Sequence, residues 1–436
     1  MLDFFMLEPV FGFAVIGLLV LALVVWSKKS GASRASKTSD ENDTGVPSSS
    51  STASGDEEHL THDHRPAAGD AHDHSASAAV SHEHGPPPGV IPELTPLDDD
   101  FDPVHTGKVA YRGCKFDPAE VRRTLHLVTP KIDMSNIPPP NPAVVAALNG
   151  VSLQRITDRL MQFTGEVPMI VGGVSQTISS RSTFHSDLGI ALSFIVEQYT
   201  AMGIKVRRVP YKVRGKTFEN IEAEIPGTTN PEKVVLFGAH ADATAGSPWA
   251  LEAKTRGADD DGSGTIGCLE LALAIKALKL PYTVRILHFT GEEQGLWGSY
   301  AYSDMIKKAG QELVDVVQID MIAYCAKPGN RVDIHDSVDR NGSHATVVKF
   351  FRAIKRYNIQ LTPVDTHNHA VDNRSDVAGF LDHGYRGVLI SEEFSDDGFN
   401  PNYHTLGDRV KNCNLPYMVE VVKASIALAA DLAGAP

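Results

Sequence analysis

Residues 234–242 read VVLFGAHAD. An apolar run of strand-forming residues ends on Gly238, and the chain then presents an imidazole, His240, and a carboxylate, Asp242, two residues apart. This is the pattern of a buried strand that delivers polar groups at its end. Asp242 is well placed to hold the second ring nitrogen of His240 and so fix its tautomer. Taken alone, a histidine after a strand is more often a polar loop residue.

On either side of this stretch the chain alternates. Val151–Thr164 and Ser186–Met202 carry apolar residues at helical spacing, and Gly203 stands at the end of the second. Strands are predicted over Lys205–Val209, Asn220–Ile225, Val284–Phe289, Val314–Ile319 and Gly387–Ile390, with helices over Thr265–Leu278, Ala345–Tyr357 and Leu415–Leu432. Such alternation predicts an α/β fold. Residues 150–436 form one large domain, with a mostly parallel mixed sheet covered by helices on both faces. Residues 101–149, ending in the proline-rich NIPPPNP, read as an N-terminal extension wrapped on its surface.

Acidic and imidazole groups gather at the ends of the predicted strands, where ligands bind in open α/β sheets. Residues 257–264, GADDDGSG, put Asp259, Asp260 and Asp261 between glycines just before a helix. Three adjacent carboxylates repel one another unless a cation neutralises them; the plainer reading is a solvated acidic loop that caps the helix. Residues 288–299, HFTGEEQGLWGS, deliver Glu292 and Glu293 into a turn. Neighbouring glutamates serve one metal poorly together, so one ligand and one general base is the natural division. Two glutamates favoured by a helix N-terminus is the alternative. Asp320 ends an apolar strand, where an unpaired carboxylate is costly. Tyr403 and His404 lie in a turn before the last helix.

The order HxD, GADDDGSG, GEE, a strand-ending aspartate and YHTxxD is more specific than any one segment. Over residues 150–436 it resembles the dinuclear zinc aminopeptidases of the bacterial leucyl-aminopeptidase type, a family that also includes glutamate carboxypeptidases and glutaminyl cyclases. The resemblance implies two Zn2+ ions. His240, Asp260 and Asp320 would hold one, while Glu293, His404 and the same Asp260 would hold the other, with a cis peptide just after the bridging aspartate. It implies Glu292 as general base, Asp242 as the residue orienting His240, and Asp376 and Tyr403 beside the substrate. For the oxyanion donor it offers only His369, Asn373 and Tyr385 as candidates. Peptide substrates follow, and a metallo-aminopeptidase is the implied enzyme. A glutaminyl cyclase usually changes the bridging loop, and GADDDGSG is the hydrolase form. A carboxypeptidase for acidic C-termini would draw on Arg374 and Arg386. A receptor or adhesion module that has lost its metals is opposed by the intact ligand set. No G-x-S-x-G element is present, which argues against an acyl-enzyme route.

The chain has 436 residues and a net charge of −14, unevenly spread. The first hundred residues hold 16 acidic and 5 basic side chains, so the rest is nearly neutral. Without a basic stripe, nucleic acid is excluded as the main partner. Four scattered cysteines exclude a disulfide scaffold and a cysteine zinc ribbon.

Residues 9–27 are an uncharged, largely apolar run, enough at 1.5 Å per residue to cross a core of roughly 30 Å. Residues 1–29 therefore read as a single-pass transmembrane anchor, with Trp26 at the interface. Residues 30–100 are a low-complexity tether that buries too little apolar surface to fold. Within it, His59–His84 includes three H-[D/E]-H triplets at ten-residue intervals, donors for an extra zinc ion or simply a histidine-rich linker. Lys28, Lys29, Arg34 and Lys37 all follow the apolar run, which favours a cytoplasmic body. The family resemblance and the zinc-seeking tether favour export. An extracytoplasmic catalytic domain is the expectation.

Overall fold

The computed structural model describes residues 126–128 and 132–435, apart from 368–370, 372 and 396. The apolar run 9–27, the tether 30–100 and His369 lie outside the described residues. Among those described, no helix is long and apolar enough to cross a membrane.

In chain order the elements are β1 (His126–Val128), α1 (Pro142–Asn149), α2 (Leu153–Phe163), β2 (Met169–Val171), β3 (Val174–Gln176), α3 (Asp187–Ala201), β4 (Lys205–Val213), β5 (Lys216–Ile225) and β6 (Asn230–His240). They continue as α4 (Gly262–Lys276), β7 (Tyr282–Phe289), α5 (Trp297–Lys308), β8 (Leu313–Ile319), β9 (Arg331–His335), α6 (His344–Arg356), β10 (Thr362–His367), α7 (Val377–Asp382), β11 (Gly387–Ser391) and α8 (Leu415–Leu432). Two short 3-10 turns lie before α6 and α8.

One sheet of nine strands runs in the order β1-β10-β9-β11-β8-β6-β7-β5-β4, and β2 and β3 form a separate hairpin. The sheet is less parallel than the sequence suggests. Parallel pairing joins β10 to β9, β11 to β8, and β6 to both β7 and β8. Antiparallel pairing joins β1 to β10, β11 to β9, β5 to β7, and β4 to β5. Antiparallel partners need only short connections, and the two-residue turn between β4 and β5 is one such case.

Both faces of the sheet are covered, as alternate residues show. Val235, Phe237, Val317, Ile319, Val388 and Ile390 join one apolar cluster, which includes side chains of α2, α3, α4, α6 and α8. Leu236, Val316 and Leu389 point the other way, into a cluster with Tyr302, Met305, Val377 and Phe380 of α5 and α7. This is the period of two expected when a strand is buried on both faces. The extension is not only a surface wrap. Asn141 caps α1, its side chain accepting from Ala143 N at 2.9 Å, and Val144 and Leu148 enter the core.

The chain passes from β6 to β7 on one side and then to β8 on the other. The carboxyl end of β6 is thus a topological switch point, where an open sheet leaves a crevice. His240 ends β6, Glu292 and Glu293 follow β7, and Asp320 follows β8.

Candidate metal centre

The five sequence-predicted ligands meet at this crevice. Asp260 Oδ1 lies 3.0 Å from His240 Nε2, and its Oδ2 lies 3.0 Å from His404 Nε2. Asp320 Oδ1 is 3.6 Å from His240 Nε2, and Glu293 Oε2 is 3.0 Å from His404 Nε2. Three three-residue donor sets result here, His240–Asp260–Asp320, Asp260–Glu293–His404 and His240–Glu292–Glu293, with Asp260 common to the first two. Glu292 Oε2 stands 4.0 Å from His240 Nε2.

The sequence after β6 explains how Asp260 is aimed. Asp261 caps α4, one oxygen accepting from Gly264 N at 2.8 Å and the other from His240 N at 3.0 Å. Asp408 accepts from the main-chain nitrogens of Asp259 and Asp260 at 2.9 and 3.0 Å. The Asp260–Asp261 peptide is cis, as the family resemblance implies. Below this turn lies Arg181, fully buried, which donates to the carbonyl oxygens of Ala241, Arg256 and Gly257.

His240 Nδ1 lies 3.2 Å from the main-chain oxygen of Asp242 and 3.7 Å from its carboxylate. The Asp242 carboxylate instead accepts from Thr183 Oγ1 at 2.7 Å and faces the main-chain nitrogens of Glu292 and Glu293 at 3.4 Å. Asp242 therefore touches both the first histidine and the glutamate turn.

Burial penalises every charge here, and neighbours decide the outcome. At Asp260 the hydrogen bonds to His240 and His404 outweigh burial and hold the carboxyl well below the usual range. Burial opposes a charged His404, yet Glu293 and Asp260 push it up to about 10. Burial, joined by Glu293, Asp376 and Asp320, lifts Glu292 well above an ordinary carboxyl despite His240. Four clustered carboxylates opposed by two imidazoles need added positive charge. The nitrogen and oxygen donors suit zinc, so the residues present fit that ion.

An open cleft of about 410 Å³ adjoins the donors. Met321, Val371, Leu389, Phe394, Phe399 and Tyr403 give it an apolar wall, and Arg374 and Ser375 line it too. Tyr403 stacks on His404, the ring centroids 3.7 Å apart. Asp376 is fully buried, and its carboxylate accepts from Gln318 Nε2 at 3.2 Å, behind the cleft rather than on its wall. Burial, with Asp320 and Asp242 adding to it, pushes Asp376 up to about 7. Neither described oxyanion candidate lines the cleft: Asn373 is exposed, and the Tyr385 hydroxyl donates to Gln311 O at 2.6 Å. Arg386 lies 3.7 Å from Asp315, also off the cleft. Sequence reading missed Arg181 and Thr183, whose partners are 59 to 76 residues away and carry no local signal.

Residues 220–429 match the model of Peptidase family M28. The chain is 28% identical over 228 residues to Leucine aminopeptidase 1 of Trichophyton rubrum, an alignment covering 49% of this chain and 58% of that one. It is 24% identical over 346 residues to a probable zinc metalloprotease of Pyricularia oryzae, covering 67% and 66%. Its fold matches that of the Legionella pneumophila LapA aminopeptidase, with a TM-score of 0.55, 20% identity and coverage of 67% and 74%.

Proposed function

Because residues 220–429 match the model of Peptidase family M28, we propose that the chain is a zinc-dependent exopeptidase that removes N-terminal residues from peptides. The observation that carries this reading is Asp260, with one oxygen 3.0 Å from each of two histidines. That sharing supports a count of two zinc ions, one held by His240, Asp260 and Asp320 and the other by Asp260, Glu293 and His404. Bound zinc supplies Lewis acidity, acidifying water and polarising a carbonyl. Glu292 takes the proton of the attacking water and hands it to the leaving amine. Asp242 keeps His240 turned so that Nε2 faces the site. The apolar wall of the cleft receives the N-terminal side chain, so leucine-like residues are preferred over charged ones.

Elemental analysis of the zinc-replete protein should give about two zinc ions per chain. Hydrolysis of an aminoacyl-nitroanilide panel should stop with chelator and return with zinc. A stoichiometry near zero in zinc-replete buffer overturns the reading.

The reading extends to the N-terminal residues. Residues 9–27 anchor the chain in a membrane by a single pass, the body lies outside the cytoplasm, and the His59–His84 segment gathers additional zinc for it. The uncharged run and the recurrent histidine triplets support this. In a bacterial host, protease added to intact spheroplasts should cleave within residues 30–100. Full protection until lysis would place the body inside.

A further inference from the structure

The segment after β6 crosses from one metal-binding residue to another. Thr244 N donates to Glu293 Oε1 at 3.0 Å, and Gln294 Nε2 donates to Pro248 O at 2.7 Å. Farther along, a Cβ at Gly246 would meet the carbonyl oxygen of His404 at 3.2 Å. Glu252 fixes the loop by accepting from Ala245 N at 2.9 Å, Ser247 N at 3.0 Å and Thr244 Oγ1 at 2.6 Å. A loop pinned so closely is not a slack surface connection, yet it holds Trp249 and Leu251 42% and 67% exposed.

Trp249 is built into the site's framework. It meets Trp297 edge to face, the centroids 5.6 Å apart at 69°. Trp297 N in turn donates to Gly291 O at 2.9 Å, directly before the two glutamates. From the turn between β4 and β5, the Arg214 guanidinium lies 5.4 Å from the Trp249 ring. None of these residues lines the cleft. The cleft is lined by His404 and Tyr403 but not by Glu293, and it is Glu293 whose Oε1 the Trp249 loop holds.

We infer that the Trp249–Leu251–Arg214 rim is the subsite for the leaving-side residue of a short peptide, one with an apolar side chain and a free carboxylate. This rests on the peptidase reading above. With the N-terminal residue in the cleft, the chain beyond the scissile bond leaves past the Glu293 side of the donor set. There the indole and the leucine offer area to an apolar side chain, and Arg214 complements a carboxylate.

The test uses zinc-loaded full-length protein with leucyl-phenylalanine, leucyl-glycine, leucyl-phenylalaninamide and leucinamide, the last having no leaving-side residue. Wild type should prefer leucyl-phenylalanine to leucyl-glycine. Trp249→Ala should lower kcat/KM for leucyl-phenylalanine about 10-fold more than for leucinamide, through KM. Trp249→Phe should restore most of the difference. Leu251→Ser, at a position too exposed to threaten folding, should shift the same ratio. Arg214→Gln should narrow the gap between leucyl-phenylalanine and its amide. Equal losses on leucinamide and leucyl-phenylalanine, or a wild type indifferent to the leaving residue, would overturn the rim and leave the peptidase reading intact. Failure to hydrolyse any of the four substrates would instead overturn the peptidase reading, and the rim with it.

Discussion

Glu292→Gln should retain its zinc and lose at least about 10²-fold in turnover, roughly 2.7 kcal/mol of barrier. The substitution keeps the shape of the side chain and removes its ability to take a proton. Glu292 belongs to neither donor set that contains Asp260, and it faces the cleft 4.0 Å from His240 Nε2. Glu293→Gln is the contrasting case. Its Oε2 lies 3.0 Å from His404 Nε2 within one of those sets, so its replacement should lower metal content as well as activity. Elemental analysis alongside initial rates separates the two. Equal metal content in both variants would refute this division between neighbouring glutamates.

The second large effect belongs to the shared carboxylate. Asp260→Asn leaves a single oxygen where two are used, and the amide brings a donor where the arrangement needs an acceptor. Zinc content should fall from about two ions per chain towards none, and hydrolysis should fall with it. Asp320→Asn touches only the His240 side, so it should weaken one ion and spare the other. Because binding to the folded chain stabilises it, the Asp260 variant should also lose the rise in Tm that zinc gives the wild type. Loss of a single ion from Asp260→Asn would show that the two donor sets fill independently.

The donor residues were legible because each is attached to something a sequence can display. His240, Glu293 and Asp320 follow runs of apolar residues that read as strands, and Asp260 sits among glycines before a helix. Other elements were hidden by their own chemistry. β9 and β10 read RVDIH and TPVDTH, each with a buried aspartate, and β10 also has a proline, so neither looks like an apolar strand. Asp333 is held by Arg331 at 2.6 Å, a compensation that only the folded chain supplies. α5, WGSYAYSDMIKK, includes the small or polar residues Gly298, Ser299 and Ser303, which are nonetheless buried. The mixed strand directions also escaped reading, since strand order and direction depend on partners far along the chain. Asp242 is two residues from His240 in sequence, but its carboxylate is engaged by Thr183, which no spacing rule would select.

The two ends of the sheet have consequences for how the chain avoids self-association. At one end, β4 is an outer strand that carries Lys205, Arg207, Arg208 and Lys212 together with Pro210. Charge and a missing N–H make that strand a poor template for another chain. At the opposite end, β10 has Pro363 near its start but no row of basic residues along the stretch from Asp365 to His367. It is closed by β1, three residues paired antiparallel to Asp365, Thr366 and His367. A fragment started at residue 150, where the domain begins by its periodicity, would lack that strand as well as α1. It would keep every donor residue, but β10 would then be an open edge with free backbone hydrogen-bonding groups. The segment ahead of the main domain thus serves as a selvedge, finishing the weave so that one molecule does not continue into the next.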